Sequence, residues 1–348
     1  MSESTPVSEV KLDENRWTEK LVRETSICRA EEHYGALVRE MYKMYGFEGT
    51  QANNEQMMEM ARKYVPRALK NFNIVGNDCR AVAAYFKLVD KIVFDTDFEV
   101  LLDTPRKVIL RGASGCPLSS HPQDELCQEI CDGGLGHETV ACETINPALK
   151  FYNLKLMSAG DDSCDLCFEL PEDAPVSDVS VPVSLYKIDE AAWPEERRRK
   201  ARLRRDWENW AAMVQAVYRK YGKEGLKAVY KITSNSADNY VIMSLQNFKL
   251  KGNDARTAGG YYKCHHKLLF GNDLEVVEDT PKRVVLRNNG FCWLSSNPKE
   301  ELNPEICLNT MGHENMACEI INPKLKFSLP KMRSAGDPYC EYVFELQD

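Results

Sequence analysis

The chain has 348 residues, of which 43% are hydrophobic and 28% are charged, and its formal net charge is −8 at pH 7. This composition is typical of a globular protein, and the negative charge argues against broad nucleic-acid binding, which needs a basic surface. The polar start lacks the apolar core of a signal peptide, and no apolar run is long enough to cross a bilayer. We therefore expect a cytoplasmic protein that binds neither nucleic acid nor membranes.

The chain contains 13 cysteines, which is an odd number for a protein of this size. In a cytoplasmic protein, such a count favours reduced thiols that act as core residues, metal ligands or nucleophiles over a disulfide framework.

An internal repeat dominates the sequence. The stretch Cys116–Leu170 recurs as Cys292–Leu346 at a constant offset of 176 residues, and matching positions extend upstream to Trp17 and Trp193. Such a repeat indicates two homologous domains, 1–170 and 187–348, joined by a polar, proline-rich linker over 171–186. We expect the two copies to pair as a pseudo-dimer within one chain, and the chain is also a candidate homo-oligomer.

The first half of each repeat predicts helices. Apolar residues recur at helical spacing up to Tyr45 and, in the second copy, up to Tyr221. A glycine follows each tyrosine and predicts a helix end. A further helix is expected after Asp78 and after Asp254, because an aspartate at this position can cap free backbone amides.

The second half of each repeat predicts strands. Asp-Thr-Pro turns at 103–105 and 279–281 separate apolar, β-branched runs, which is typical of a hairpin. The glycine-punctuated stretch 123–144 predicts two short helices, and a second hairpin closes each repeat. The predicted fold class is therefore α+β, with two tandem domains in which helices pack on a mostly antiparallel sheet built from two hairpins.

Both repeats contain a cluster of cysteines around a Gly-His-Glu triplet. The residues closest in sequence are Cys131, His137, Glu138 and Cys142, with the second set Cys307, His313, Glu314 and Cys318. The two cysteines and the histidine of each set are candidate zinc ligands, with Cys116, Cys164, Cys292 or Cys340 as the fourth. With three protein ligands and water, the same site is an open catalytic zinc centre.

The same residues also fit nucleophilic catalysis. A cysteine beside a histidine has a lowered pKa and attacks as a thiolate, with the histidine as base and the glutamate as its orienting group or second acid. A purely structural role is the alternative for part of the set. Cys164 and Cys340 alternate with apolar residues along the last strand, which favours packing in the core.

The order Cys131, His137, Cys142, Asn146-Pro147, Gly160-Asp161, Cys164 and Phe168 resembles the L-2-amino-thiazoline-4-carboxylic acid hydrolase family, and the second repeat carries the same order. The C-terminal end is also similar to the 4-vinyl reductase type of small-molecule-binding domain. The first resemblance implies hydrolysis of a C–N or C–S bond in a cyclic amidine. The tandem arrangement departs from the single-domain form of that family.

Three functions therefore remain open. The first is hydrolysis of a small thiazoline-, amidine- or amide-like substrate by a Cys/His centre. The second is non-catalytic binding of an apolar or tetrapyrrole-like molecule. The third is a structural role in which the cysteines hold zinc. Zinc is the one candidate cofactor, and a small molecule is the expected partner.

Overall fold

The computed structural model describes residues 4–112, 128–290, 292, 294 and 303–348. These residues form two compact units. The N-terminal unit comprises Val38–Asp206, and the C-terminal unit comprises Met1–Leu37 together with Trp207–Asp348. Two long helices, α1 (Glu19–Tyr45) and α6 (Glu195–Asn247), contribute residues to both units. The units therefore divide the chain at other points than the boundaries predicted from the repeat.

In the N-terminal unit, helices precede and interrupt a four-stranded sheet. After α1 come α2 (Phe47–Asn71), α3 (Cys79–Val93), β1 (Glu99–Asp103), β2 (Lys107–Gly112), α4 (Gln128–Asp132), α5 (Gly136–Ile145), β3 (Lys150–Lys155) and β4 (Cys164–Glu169). The strand order is β1-β2-β4-β3, and every neighbouring pair is antiparallel.

The C-terminal unit repeats this order of elements. After α6 come α7 (Ala255–Phe270), β5 (Glu275–Asp279), β6 (Arg283–Asn288), α8 (Pro304–Thr310), α9 (Gly312–Ile321), β7 (Leu325–Lys331) and β8 (Cys340–Leu346). The sheet order is β5-β6-β8-β7, again antiparallel throughout. The α+β class and both hairpins of each sheet are confirmed. The pairing of β2 with β4, and of β6 with β8, joins the two hairpins into one sheet.

Capping and turn residues act as the sequence predicts. The Asp78 carboxylate accepts a hydrogen bond from the Ala81 amide at the start of α3, and Asp254 caps α7 in the same way. Gly46 ends α1 with φ +60°, whereas α6 continues through a kink at Gly222, where φ is +58°. Glycine adopts a positive φ readily, whereas residues with a Cβ atom rarely do. Both positions therefore favour glycine.

The segment predicted as a linker belongs partly to a core. Val183 is fully buried among the apolar residues of the N-terminal unit, and Tyr186 is 8% exposed. The Lys87 ammonium donates a hydrogen bond to the Val183 carbonyl over 3.1 Å. The stretch is proline-rich but still supplies apolar side chains, so it docks as an extended arm instead of spanning the units as a free tether.

The chain start docks on the C-terminal unit through equivalent contacts. Val7 is fully buried, the Ser4 hydroxyl donates to Asp254 over 2.5 Å, and Lys263 donates to the Val7 carbonyl over 2.9 Å. Ser4 and Val7 lie 176 positions before their counterparts in the other arm. Each repeat therefore begins with an arm that packs in the unit containing the other repeat's sheet.

No helix among the described residues combines the length and the apolar character needed to span a bilayer.

Replacing the buried valine of each arm tests whether the arm packs in the unit that contains the other repeat's sheet. Val7→Ala should destabilise the C-terminal unit, and Val183→Ala the N-terminal unit, each by about 2 kcal/mol because two buried methyl groups are lost. Hydrogen exchange resolved by peptide measures the effect in each unit. Leu185→Ala is the matched control, since Leu185 is 67% exposed. If Val7→Ala instead reduced the protection of amide hydrogens in the N-terminal unit, this packing of the arms would be contradicted.

Candidate functional site

A tyrosine–histidine pair occupies the same place in both units. The Tyr85 hydroxyl lies 2.6 Å from Nε2 of His137, and the Tyr261 hydroxyl lies 2.6 Å from Nε2 of His313. The paired rings are also stacked. Burial lowers the pKa of both histidines to about 3 and raises the tyrosine pKa values. Each pair is therefore a neutral hydrogen bond between a longer helix and a short one: α3 and α5 in the N-terminal unit, and α7 and α9 in the C-terminal unit.

A glycine before each histidine allows this short helix to approach its neighbour. A Cβ atom on Gly312 would lie 2.5 Å from both the Thr233 hydroxyl and the Tyr230 carbonyl of α6, and a Cβ atom on Gly136 would lie 2.4 Å from the Asn54 carbonyl of α2. A Cβ atom does not approach other atoms this closely, so a glycine is required before each histidine. The glycine sets the depth of the helix, and the histidine then reaches the tyrosine.

The glutamate after each histidine is also enclosed. Burial raises the pKa of Glu138 and of Glu314 to about 7. In both residues, Oε2 is buried and has no hydrogen-bond partner among the described residues. A buried carboxyl without a partner is costly when ionised, which explains the raised pKa. Such a group is able to exchange a proton near neutral pH.

The structure separates the cysteines of the predicted clusters from the histidines. His137 and Cys142 lie five residues apart on α5, which places them about 140° apart around the helix axis. The same holds for His313 and Cys318 on α9. Cys142 and Cys318 instead join the apolar cores. Burial raises the pKa of both thiols to about 12, so neither is a thiolate near neutral pH.

The remaining predicted cysteines lie apart from the histidines, except Cys292, which lines one cavity together with His313 and Glu314. Cys131 and Cys307 are half-buried on α4 and α8, and burial raises the pKa of Cys307 to about 12. Cys164 and Cys340 start strands β4 and β8, where burial raises their pKa values. Cys116 lies outside the described residues. In the described part of the chain, no three His, Cys, Asp or Glu side chains are placed to hold a metal ion, so these residues give the zinc hypothesis no support.

A cavity of about 120 Å³ lies beside the tyrosine–histidine pair of the C-terminal unit. Four of the chain's six histidines line it: His33 from α1, His265 and His266 from α7, and His313 from α9. His265 stacks on His313 with ring centroids 4.5 Å apart and a 7° interplanar angle. Burial lowers the pKa of all four below neutral pH, so the imidazoles are uncharged hydrogen-bonding groups.

Five aromatic side chains also line the cavity, together with aliphatic and polar residues. They are Trp207, Trp210, Tyr262, Phe270 and Tyr342. Their rings contact one another and the histidines; for example, Trp207 and His266 each lie 4.8 Å from Phe270, and His33 lies 5.2 Å from Trp210, between ring centroids. The Trp207 indole donates to the Ser26 hydroxyl over 3.0 Å, which fixes its ring in place.

Several polar atoms around the cavity lack a hydrogen-bond partner among the described residues. They are both ring nitrogens of His33 and of His265, Nδ1 of His266 and Oε2 of Glu314. His265, His266 and Glu314 are each less than 9% exposed. Buried polar groups are nearly always hydrogen-bonded, and these unpartnered atoms belong to residues that line one cavity, which makes it the candidate ligand site.

The N-terminal unit keeps the tyrosine–histidine–glutamate set but changes its surroundings. Val89 and Asp90 stand where α7 has His265 and His266. Burial, followed by the nearby Glu138 charge, raises the pKa of Asp90 to about 8, whereas Arg205 acts in the opposite direction. The two units therefore share a scaffold and differ in the chemistry beside it.

The sequence analysis names part of this candidate site. It lists His313, Glu314 and Cys292, but not Tyr261, the two tryptophans or His33. The adjacent histidines 265 and 266, which the first repeat lacks, were a detectable signal. The contribution of His33 was not detectable, because it comes from a helix assigned to the other repeat.

No family model matches this chain, and no similar curated protein was found. The resemblance to the hydrolase family therefore stays a prediction.

The Glu314 carboxyl should make stability depend on pH. Its pKa is higher in the folded state than in the unfolded state, so the folded protein holds the proton more tightly and stability falls as pH rises between those two values. Glu314→Gln should remove this loss, a gain of up to about 3 kcal/mol relative to the parent chain near pH 8. Hydrogen exchange in the C-terminal unit at several pH values measures it.

Glu319→Gln, on the exposed side of the same helix, is the control for the lost charge. Parallel pH profiles for the parent chain and the Glu314→Gln variant would show that Glu314 titrates normally. The histidines affect the stability of the unit at the acidic end of the pH range. Their folded pKa values are lowered, so their contribution is lost as pH falls below about 6.5.

Proposed function

We propose that this protein binds a small organic molecule in the cavity of its C-terminal unit. The observation that carries the proposal is the set of unpartnered, buried polar atoms of His265, His266 and Glu314 around one aromatic cavity. Pockets with mainly apolar walls and a few converging polar groups are typical ligand sites. This function is the binding alternative expected from the sequence.

The cavity limits the size of the ligand. A dry engineered cavity of about 150 Å³ accepts benzene, so about 120 Å³ suits a compact molecule or a single ring. A tetrapyrrole is too large for this volume. The neutral imidazoles can each donate and accept one hydrogen bond, which favours a ligand that carries both kinds of group.

Hydrolysis is the second candidate function. One observation favours it: Glu314 has a pKa of about 7 at the cavity wall, which suits a general acid or base. The predicted cysteine nucleophile is less favoured, because the Cys318 thiol has a pKa of about 12 and lies among apolar residues. If the chain is a hydrolase, we propose that Glu314 activates water, with His313 held by Tyr261 beside it.

The other partner and location predictions stay proposals. We propose a cytoplasmic location, based on the odd number of cysteines. A pseudo-dimeric arrangement of the repeats is proposed on the constant 176-residue offset.

Tryptophan fluorescence tests ligand binding, because Trp207 and Trp210 line the cavity. Titration with phenol and with pyrazole, both single rings with a hydrogen-bonding group, should change the emission and raise the melting temperature. His265→Val, which copies Val89 of the other unit, should weaken binding about tenfold, since hydrogen bonds to the ring nitrogens are lost. Lys267→Ala, which removes a surface ion pair on the same helix, is the matched control.

No response to either compound would contradict the proposal. Equal affinity of the parent chain and the His265→Val variant would place binding outside the cavity.

The hydrolase candidate has its own test. Incubation with 2-amino-thiazoline-4-carboxylic acid, followed by chromatography, should show turnover that Glu314→Gln reduces at least about a hundredfold, as expected for loss of a general acid or base. Cys318→Ala should retain turnover. Loss of turnover in Cys318→Ala, with folding intact, would restore the cysteine mechanism, and no turnover in the parent chain would reject this substrate.

A further inference from the structure

We propose that the cavity of the C-terminal unit selects a compact organic cation, such as an alkylated ammonium group, over a neutral molecule of the same shape. This inference rests on the proposed binding function and adds the chemical class of the ligand. Five aromatic rings and one acid are among the groups that line the cavity, and both attract a positive charge.

Aromatic rings that line the cavity contact one another. Phe270 contacts both Trp207 and His266, and Tyr262 contacts Tyr342 with ring centroids 4.8 Å apart. His266 also contacts Tyr262, with ring centroids 5.5 Å apart, so these rings form one connected group. A cation within about 6 Å of such ring faces gains about 2 kcal/mol or more when water is excluded. Trp207, Trp210, Tyr262 and Tyr342 are each less than 7% exposed, so the lining lies in the interior.

Glu314 supplies the negative partner. It lies in the first turn of α9 at the cavity wall, it is 8% exposed, and its Oε2 atom has no hydrogen-bond partner among the described residues. A buried ionised carboxylate is stable when it is paired. A bound cation would provide that pair, whereas a neutral ligand of the same shape would leave the charge uncompensated.

Of the surrounding charges, that of Arg29 opposes a cation, since it contributes, after burial, to the lowered pKa of His33, His265 and His313 at the cavity wall. The described residues that line the cavity include no lysine or arginine, and its four histidines are uncharged near neutral pH. Arg29 of α1 is the nearby cationic group. Its guanidinium lies 3.0 Å from the Tyr240 ring centroid, with Glu32 3.5 Å away. Because Arg29 already contacts this ring and this carboxylate, its charge is partly balanced outside the cavity.

Choline and 3,3-dimethylbutan-1-ol test the charge requirement, because they share one shape and differ in the quaternary nitrogen. Their affinities for the full chain are measured by calorimetry and tryptophan fluorescence near pH 8. We expect choline to bind at least tenfold more tightly. Glu314→Gln should remove this preference, because the carboxylate that pairs with the cation is lost. Glu319→Gln, on the exposed side of α9, should keep the preference.

A second variant guards against a folding defect in Glu314→Gln. Phe270→Leu keeps an apolar wall but removes an aromatic face, so it should reduce choline affinity more than alcohol affinity. Equal binding of choline and the alcohol, or tighter binding of the alcohol, would overturn the cation inference and leave the binding function intact. If neither binds, the cation inference fails. If phenol and pyrazole also fail to bind, the proposed function falls with it.

Discussion

A hydrogen bond between a buried tyrosine and a histidine recurs in both units, and the candidate site of the C-terminal unit depends on it. In the C-terminal unit, it joins Tyr261 of α7 to His313 of α9. Leaving either group buried without a partner would cost a substantial part of the unit's stability. Gly312 at the same time brings α9 against α6. These two contacts fix three helices relative to one another and place Glu314 at the wall of the cavity.

The duplicated scaffold carries different chemistry in its two copies. Capping aspartates, sheet order, tyrosine–histidine pairs and docking arms recur at equivalent positions. The helix beside the pair does not: His265 and His266 in one unit correspond to Val89 and Asp90 in the other. The C-terminal unit therefore presents neutral imidazoles to its cavity, whereas the N-terminal unit places a second carboxyl group near Glu138. A shared fold with a changed lining is consistent with ligand binding specialised in one unit.

The cysteines illustrate how proximity in sequence misleads. The five-residue spacing between His313 and Cys318 favours a shared metal or catalytic centre while the local structure is unknown. On a helix, the same spacing turns the two side chains to different faces. Glu314 and Cys318, four residues apart, share a face instead, and the Glu314 charge contributes to the raised pKa of that thiol. The helix thus groups the glutamate with the cysteine and the histidine with a tyrosine from another helix.

Sequence alone determined the repeat, the α+β class, the hairpins at the Asp-Thr-Pro turns and the capping aspartates. These features depend on local patterns, such as alternation, turn residues and helix caps, which a single stretch of chain contains. Only the tertiary structure decided which side chains meet. The arm around Val7 and the helix that carries His33 belong to the unit built on the other repeat's sheet. Contacts between residues far apart in sequence depend on the packing of whole elements, and local pattern does not encode them.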